Sequence, residues 1–525
     1  MSAAAPAVSR AAPAISGHSA PALGSVRDWV AFIGGALGAF MAVLDIQITN
    51  SSLANIQGSL GASLDEGSWI STGYLMAEIV VIPMTGWLSG VFGLRRYILV
   101  NAVLFLVFSM LCGLSTDLSQ MILFRVGQGM TGGVLIPTAF TIMLLRIPLA
   151  QRGISSAIFG LTVTFAPAIG PTVGGWLTDA YSWHFIFYIN VLPGMLLLAM
   201  IGWGLDRAPM RLERLARGDW GGIACMAVGL ASLEYVLEEG QRKDWFGDDR
   251  ILLSAVLATV FLLGFVTIEL RRKEPFIDLR LLARRTLGVA CAINFASGLA
   301  LYGSIYILPL FLSRVQGYNA FQIGQVQMWM GLPQLAILPF LPLFLKWFDP
   351  RLLLAFGISL FAASCIMNGY MSTDTAIDQL KWSQLVRAIG QPFIIAPLSG
   401  MATVGILPAQ AGTASALFNM MRNVGGSFGI ALLATAAEHR EQWHFSVIAE
   451  RMTVNSVLLA ERLGQMGAVV GPQRALAMLA NGVRRQATAM GYADCFVLIG
   501  AALAASLLGV AFLSRPRKPG GGGAH

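Results

Sequence analysis

Charge is scarce in this sequence. Asp, Glu, Lys and Arg make up 12% of its 525 residues, about half of the roughly 25% typical of soluble domains. A soluble fold of this length could not cover its exterior with so few charges, so the solvent is in large part lipid. The five cysteines (Cys112, Cys225, Cys291, Cys365 and Cys495) lie apart in apolar stretches without CxxC spacing. They read as packed thiols, which leaves neither a disulfide framework nor a thiolate metal site. None of the five histidines pairs with Cys or Asp at ligand spacing, so no metal is expected. There is no GxxxxGK[ST] phosphate loop and no Ser/His/Asp constellation, so neither an enzyme nor a cofactor is expected. The net charge of +8 reads as the basic bias of membrane-protein loops, not as a nucleic-acid surface.

Apolar residues fill the space that charge leaves. Hydrophobic residues are 56% of the chain, and 58 positions are glycine. Windows long enough to cross a bilayer fall near 29–53, 66–90, 97–116, 120–145, 153–178, 185–205, 219–239, 251–270, 286–312, 321–346, 351–371, 382–407, 411–437 and 493–514. The least apolar is 219–239, which carries Glu234, Glu238 and Glu239. The expected architecture is an all-α membrane protein with fourteen transmembrane helices. An Ala/Pro/Ser-rich tail over 1–26 is expected to be disordered, without a cleaved signal peptide.

Loop charge sets the expected orientation. Arg207, Arg211, Arg214 and Arg217 share one side with Arg271, Arg272, Lys273, Arg280, Arg284 and Arg285. The opposite loops hold few cations and carry Asp117, Asp179, Asp244, Asp248 and Asp249. An even span count with this bias predicts that both termini are cytoplasmic. One long connection, 438–491, would then lie outside. Leu476, Leu479 and Val483 recur there at helical spacing, as in a helix on the membrane surface or one that docks another protein.

An ionisable side chain in the bilayer core is costly, so each survivor is a candidate. Asp45, Glu78, Arg125, Arg387 and Arg422 fall in mid-span. Asp45 stands beside Gln47, Thr49 and Asn50, crowding that suits a water-filled cavity. Arg125 is its natural counter-charge, and the pair reads either as a proton relay or as a structural tie between two helices. Arg387-Ala-Ile-Gly390-Gln391 echoes Arg125-Val-Gly-Gln128-Gly129, a faint repeat of the kind that builds transporters from halves. The run Phe165-Ala166-Pro167-Ala168-Ile169-Gly170-Pro171-Thr172-Val173-Gly174-Gly175 suits a hinge or close helix packing.

Four motifs, in order, resemble the major facilitator superfamily and within it the fourteen-helix drug/proton antiporters of the EmrB/QacA type. Leu44-Asp45-Ile46-Gln47-Ile48-Thr49-Asn50 is similar to the first-helix LDxTIVN element. Gly86-Trp87-Leu88-Ser89-Gly90-Val91-Phe92-Gly93-Leu94-Arg95-Arg96 resembles the loop GxLxDRxGRR, although Gly90 and Val91 replace its aspartate and arginine. Leu123-Phe124-Arg125-Val126-Gly127-Gln128-Gly129 resembles RxxQG, and Gly170 to Gly175 resembles the antiporter motif GPxxGG.

The resemblance implies a major facilitator fold: two six-helix bundles, 27–206 and 273–515, joined by two extra central helices in 207–272, with a second cytoplasmic tail at 516–525. It implies proton-coupled efflux of drugs or other amphipathic small molecules by alternating access. Asp45, Glu78 and Arg125 would couple protons, Gly170, Pro171, Gly174 and Gly175 would form the antiporter motif, and Gly86, Gly93, Arg95 and Arg96 a cytoplasmic gate loop. Tyr302, Tyr306, Met328, Trp329, Asn419, Arg422 and Arg387 are candidate cavity walls, or plain packing and lipid-facing residues. The stretch from His439 to His444 also resembles the branch of the bacterial inner membrane that works with a periplasmic adaptor (a membrane fusion protein) and an outer-membrane channel. An exporter dedicated to one metabolite or lipid-like compound, and a non-transporting scaffold, are the alternatives.

Overall fold

A computed structural model describes residues 24–148, 151–216, 218–272, 275–402, 404–407, 410–452 and 457–513. Nearly all of the tail expected over 1–26, and the tail at 516–525, lie outside these residues. The helix that opens the described chain begins at Val26, where a capping box (Ser25 and Asp28 satisfying each other's backbone N–H groups) fixes its first turn.

Fourteen long helical segments follow. They are α1 (Val26–Ser59), α2 (Trp69–Phe92), α3 (Leu94–Gly113), α4 (Leu118–Arg146), α5 (Arg152–Ala180), α6 (Phe185–Gly204), α7 (Trp220–Glu239), α8 (Asp249–Arg271), α9 (Arg285–Arg314), α10 (Ala320–Ile337), α11 (Pro350–Asn368), α12 (Ile377–Ala402), α13 (Ala411–Arg451) and α14 (Pro472–Val510). Caps punctuate them. Asp117, Asp219, Asp248 and Asp349 each accept a backbone N–H at a helix start. Gly93 alone separates α2 from α3 at φ 82°, a left-handed turn that favours glycine.

Among the described residues twelve helices are long and apolar enough to cross a membrane, or thirteen if Phe321–Ile337 and Leu341–Trp347, bent by 60°, form one span. The chain is a multi-pass membrane protein. Only α13 falls short on apolarity, because it lines the interior with Asn419, Arg422, Asn423 and Ser427. Burial is inverted relative to a soluble fold. Asp45, Arg125, Gln128, Arg387 and Arg422 are buried, while Leu253, Val256, Val260 and Leu263 of α8 face outward.

Within α1–α6, α1 packs on α4, α5 and α6; within α9–α14, α13 packs on α9 and α14. The two sets meet where α5 packs on α10 and α12, and where α13 packs on α2 and α4. Between them α7 packs on α8, α2 and α13.

The long connection over 438–491 is different from the loop expected. Its ends are continuous with the last two spans, as α13 runs on to Arg451 and α14 starts at Pro472, with a short helix Val457–Val470 against α14. Val483 is buried and Leu476 is exposed on α14, so 472–491 extends that span and is no separate membrane-surface helix. Nor does the Gly/Pro-rich run break its helix: α5 continues past Pro167 and Pro171.

Candidate functional site: a caged carboxylate beside an acidic cleft

Asp45 and Arg125 meet in the core of the first helix set. Arg125 Nη1 lies 2.6 Å from Asp45 Oδ2, and each side chain is 1% exposed. The same Nη1 donates to Gln128 Oε1 at 2.7 Å, while Nε donates to the Ile70 carbonyl at 3.3 Å. Three-residue spacing on α4 puts Arg125 and Gln128 on one face. Asp45 Oδ1 accepts from Gln128 Nε2 at 3.0 Å and from Asn190 Nδ2 at 2.8 Å. Tyr74 lays its ring 4.4 Å from the guanidinium carbon of Arg125. A Cβ on Gly129 would collide with the Tyr74 backbone, so the motif glycine lets α4 approach α2 closely enough for these contacts.

The carboxylate is therefore caged by three donors, two of them neutral amides. Charge-assisted hydrogen bonds of this kind are strong. Asn190 was not legible as a member of the cage, because an amide at the start of a helix carries no pattern.

A cleft of about 560 Å³ lies next to this cage, within the size range of small-molecule sites. Its walls include Gln47 and Asn50 of α1, Glu78 of α2, Glu234 and Glu238 of α7, Tyr302 and Tyr306 of α9, Gln327 of α10 and Ser427 of α13. Asp45 does not line it: the polar crowding around Asp45 splits, with Gln47 and Asn50 facing the cleft and Asp45 facing α4. Glu78 does line it, is 4% exposed and has no hydrogen-bond or ion-pair partner among the described residues. The cations that act on it are Arg422 and Arg125.

The other predicted wall residues lie elsewhere. Trp329 is 39% exposed on the outer face of the bundle and Met328 is half-buried, and neither borders the cleft. Asn419 is buried and bonds the Ser415 carbonyl one turn back. Arg422 is buried behind the cleft wall. Arg387 sits inside the second helix set, with its guanidinium carbon 4.8 Å from the centre of the Phe361 ring. Helical periodicity alone does not say which neighbour a given face meets. Glu234 and Glu238, conversely, signalled themselves as acids in an apolar window, and only packing shows that they face a cleft.

The cleft occupies the end of the bundle where α1 finishes and α2 begins; the opposite end is sealed. There a Cβ on Gly86 would stand 2.7 Å from the Gly412 carbonyl carbon, so α2 and α13 touch backbone to backbone. Phe140 of α4 stacks on Phe418 of α13 with centroids 5.3 Å apart, and Ser415 Oγ donates to the Pro137 carbonyl at 2.8 Å. The rest of the loop motif stays within its own half. Arg95 donates to the Gly202 carbonyl at 2.6 Å, Gly93 packs on Ala208, and Arg96 is half-buried. Val91, where the motif has arginine, is fully buried.

The antiporter motif seams α5 to α1. A Cβ on Gly170 would meet Gln47, and one on Gly174 would meet Ser51 and the Ile48 backbone. Pro171 lines the cleft and Gly175 is buried.

Comparison with known proteins agrees with this architecture. The family model described as Major Facilitator Superfamily matches residues 35–430. The colistin resistance protein EmrB of Acinetobacter baumannii is 34% identical over 93% of this chain and 97% of its own length. The multidrug export protein EmrB of Escherichia coli is 31% identical over 93% of this chain and 96% of its own. Among solved structures, the human organic anion transporter MFSD10 superposes with a TM-score of 0.57 at 13% identity, covering 91% of this chain and 99% of that one, a likeness of fold alone. The chain belongs to the major facilitator superfamily and, within it, to the EmrB/QacA-type branch of membrane transporters.

Proposed function

We propose that this chain exports drugs or other amphipathic small molecules in exchange for protons, by alternating access between two six-helix bundles, 27–206 and 273–515, with 207–272 as linker helices. Both termini are cytoplasmic in this reading, so the cleft faces outward and the Gly86–Gly412 seam closes the cytoplasmic side. The observation that carries it is the division of labour between two acids. Glu78 stands unpartnered in the cleft, while Asp45 is caged one layer behind it.

Export then follows from electrostatics. Glu78 meets cargo or proton in the cleft. Rocking of α2 and α4 against α13 opens the cage around Asp45, so that its carboxylate exchanges a proton only during the transition. Arg125 remains charged throughout, since guanidinium does not deprotonate in proteins, and pairs again with Asp45 when the cage closes. The relatives carry "multidrug export" and "colistin resistance" in their names, which supports an export reading.

The helical extension formed by the ends of α13 and α14 would meet a periplasmic adaptor leading to an outer-membrane channel, placing the protein in a bacterial inner membrane. The test of transport is flux in proteoliposomes under an imposed pH gradient, with a panel of cationic, anionic and lipid-like compounds. Gradient-dependent movement of several of them supports the proposal. Movement of one alone points to a dedicated exporter, and movement of none removes transport altogether.

A further inference from the structure

Helix α7 packs on α2 and α13 and delivers its last turns to the cleft. Glu234 is 1% exposed and lines the cavity. One oxygen, Oε1, accepts from Ser427 Oγ at 2.9 Å, while Oε2 has no partner. The neighbouring Glu239 is occupied elsewhere, bound to Arg242 at 3.2 Å and to Ser68 at 2.9 Å. Arg242 is the one cation among the cleft-lining residues.

Gln327 of α10 lines the same cleft and is also 1% exposed, and among the described residues neither its amide oxygen nor its amide nitrogen has a partner. Buried polar groups are satisfied in most structures, and an unpaired buried charge is more costly still. Glu234 Oε2 and the Gln327 amide thus line one cleft together with Tyr302 and Tyr306 and leave polar atoms open to a guest.

We infer that Glu234 of the linker helix is a specificity-determining residue, which anchors the positive group of an amphipathic organic cation whose apolar body lies against Tyr302 and Tyr306. The chemistry of the walls selects this class. The free Oε2 of Glu234 and the carboxylates of Glu78 and Glu238 line the cleft with one arginine, Arg242, while Arg422 behind the wall acts on Glu78, so the lining itself favours a cationic guest over an anionic one. Tyrosine faces add cation–π attraction, and Gln327 offers either a donor or an acceptor to a polar substituent.

This inference rests on the transport reading, and the experiment separates the two. Ethidium, a planar monocation, and 8-anilinonaphthalene sulfonate, an anion, are titrated by fluorescence anisotropy into the purified full-length protein, and ethidium flux is followed in proteoliposomes. Glu234→Gln is expected to weaken ethidium binding by about 10-fold or more, the loss typical of a charged hydrogen bond, without weakening the anion. Gln327→Lys places an ammonium in the same cleft and is expected to abolish ethidium binding without lowering the melting temperature. It carries the test if Glu234→Gln does not fold. Wild-type ethidium affinity in whichever of these variants folds overturns the inference and leaves the transport reading intact. No flux of any compound by the wild type overturns the transport reading itself.

Discussion

Two arginines in echoing motifs meet different fates. Arg125 is held by a carboxylate, two carbonyl-type acceptors and an aromatic face. Its counterpart Arg387 is equally buried, yet it has only the Phe361 ring and a long contact to the Leu301 carbonyl at 3.4 Å, and its Nε is unpartnered. Among the described residues no carboxylate pairs with it. Gln391, the echo's glutamine, accepts instead from Gln334 Nε2 at 2.7 Å. The duplicated scaffold thus keeps the cation in both halves and the acid in one. A buried ion pair contributes little net stability, and removing one partner is costly. The asymmetry is what the proposed division predicts, with switching in the first half and packing in the second.

Removing the acid is the strongest way to break that comparison. Asp45→Asn leaves Arg125 buried without its counter-charge, at an expected cost of roughly 3–5 kcal/mol, and should abolish gradient-driven transport. Adding Arg125→Gln should restore much of the melting temperature but not the coupling, which would separate charge compensation from function. Full coupling in either variant would return the pair to a purely structural role.

Gly86→Ala comes next. The added methyl would press on the Gly412 carbonyl carbon at 2.7 Å, and backbone cannot swing aside as a flexible side chain does. The sealed end should then open, with transport falling about 10-fold as one state loses population. Spin-label distances between α2 and α13 would read this directly as a longer separation; an unchanged distance argues against the seam.

Arg387→Met sharpens the contrast from the other side. With no pair to break, the expected change in stability is within about 1 kcal/mol, or a gain, and transport should stay near wild type. Loss of coupling comparable to Asp45→Asn would mean that the two halves are equivalent after all. The smallest effect belongs to the surface cluster at the sealed end, where Asp206 meets Arg27 at 2.7 Å and Arg146 at 3.1 Å. The hydrogen bond from Arg146, then the charge of Arg27, holds the Asp206 carboxyl below its usual range. Such a depressed group supports the fold above its unfolded value and loses that support as the pH falls through the native one. Exposed pairs contribute little, so Asp206→Asn should leave a thermal scan at neutral pH unchanged.

Hydropathy made the all-helical membrane architecture legible, through runs such as 251–270, while the major facilitator arrangement was legible only through the motif resemblance. Asp45 and Arg125 were legible as a pair because each is expensive in a bilayer and carries opposite charge. The direction in which Asp45 faces was not legible, because Gln47 and Asn50 beside it point into the cleft while it points away. Trp329 and Met328 resembled a cavity wall for the same reason that they resemble a lipid face: apolar helix surfaces carry no label for their neighbour. The extension of α13 and α14 was hidden by polar residues that lower hydropathy without ending a helix. Glu234 read as a weakness in a span, and it took the packing of α7 on α2 and α13 to turn that weakness into a wall of the cleft.

Proton movement coupled to cargo through the Asp45 cage is the most direct thing to measure. Proteoliposomes loaded with a pH-sensitive dye, holding either the wild type or the Asp45→Asn/Arg125→Gln double variant, would be followed while ethidium crosses. The expected result is proton movement opposite to ethidium in the wild type, and ethidium exchange without proton movement in the double variant. Equal proton movement in both proteins would contradict it.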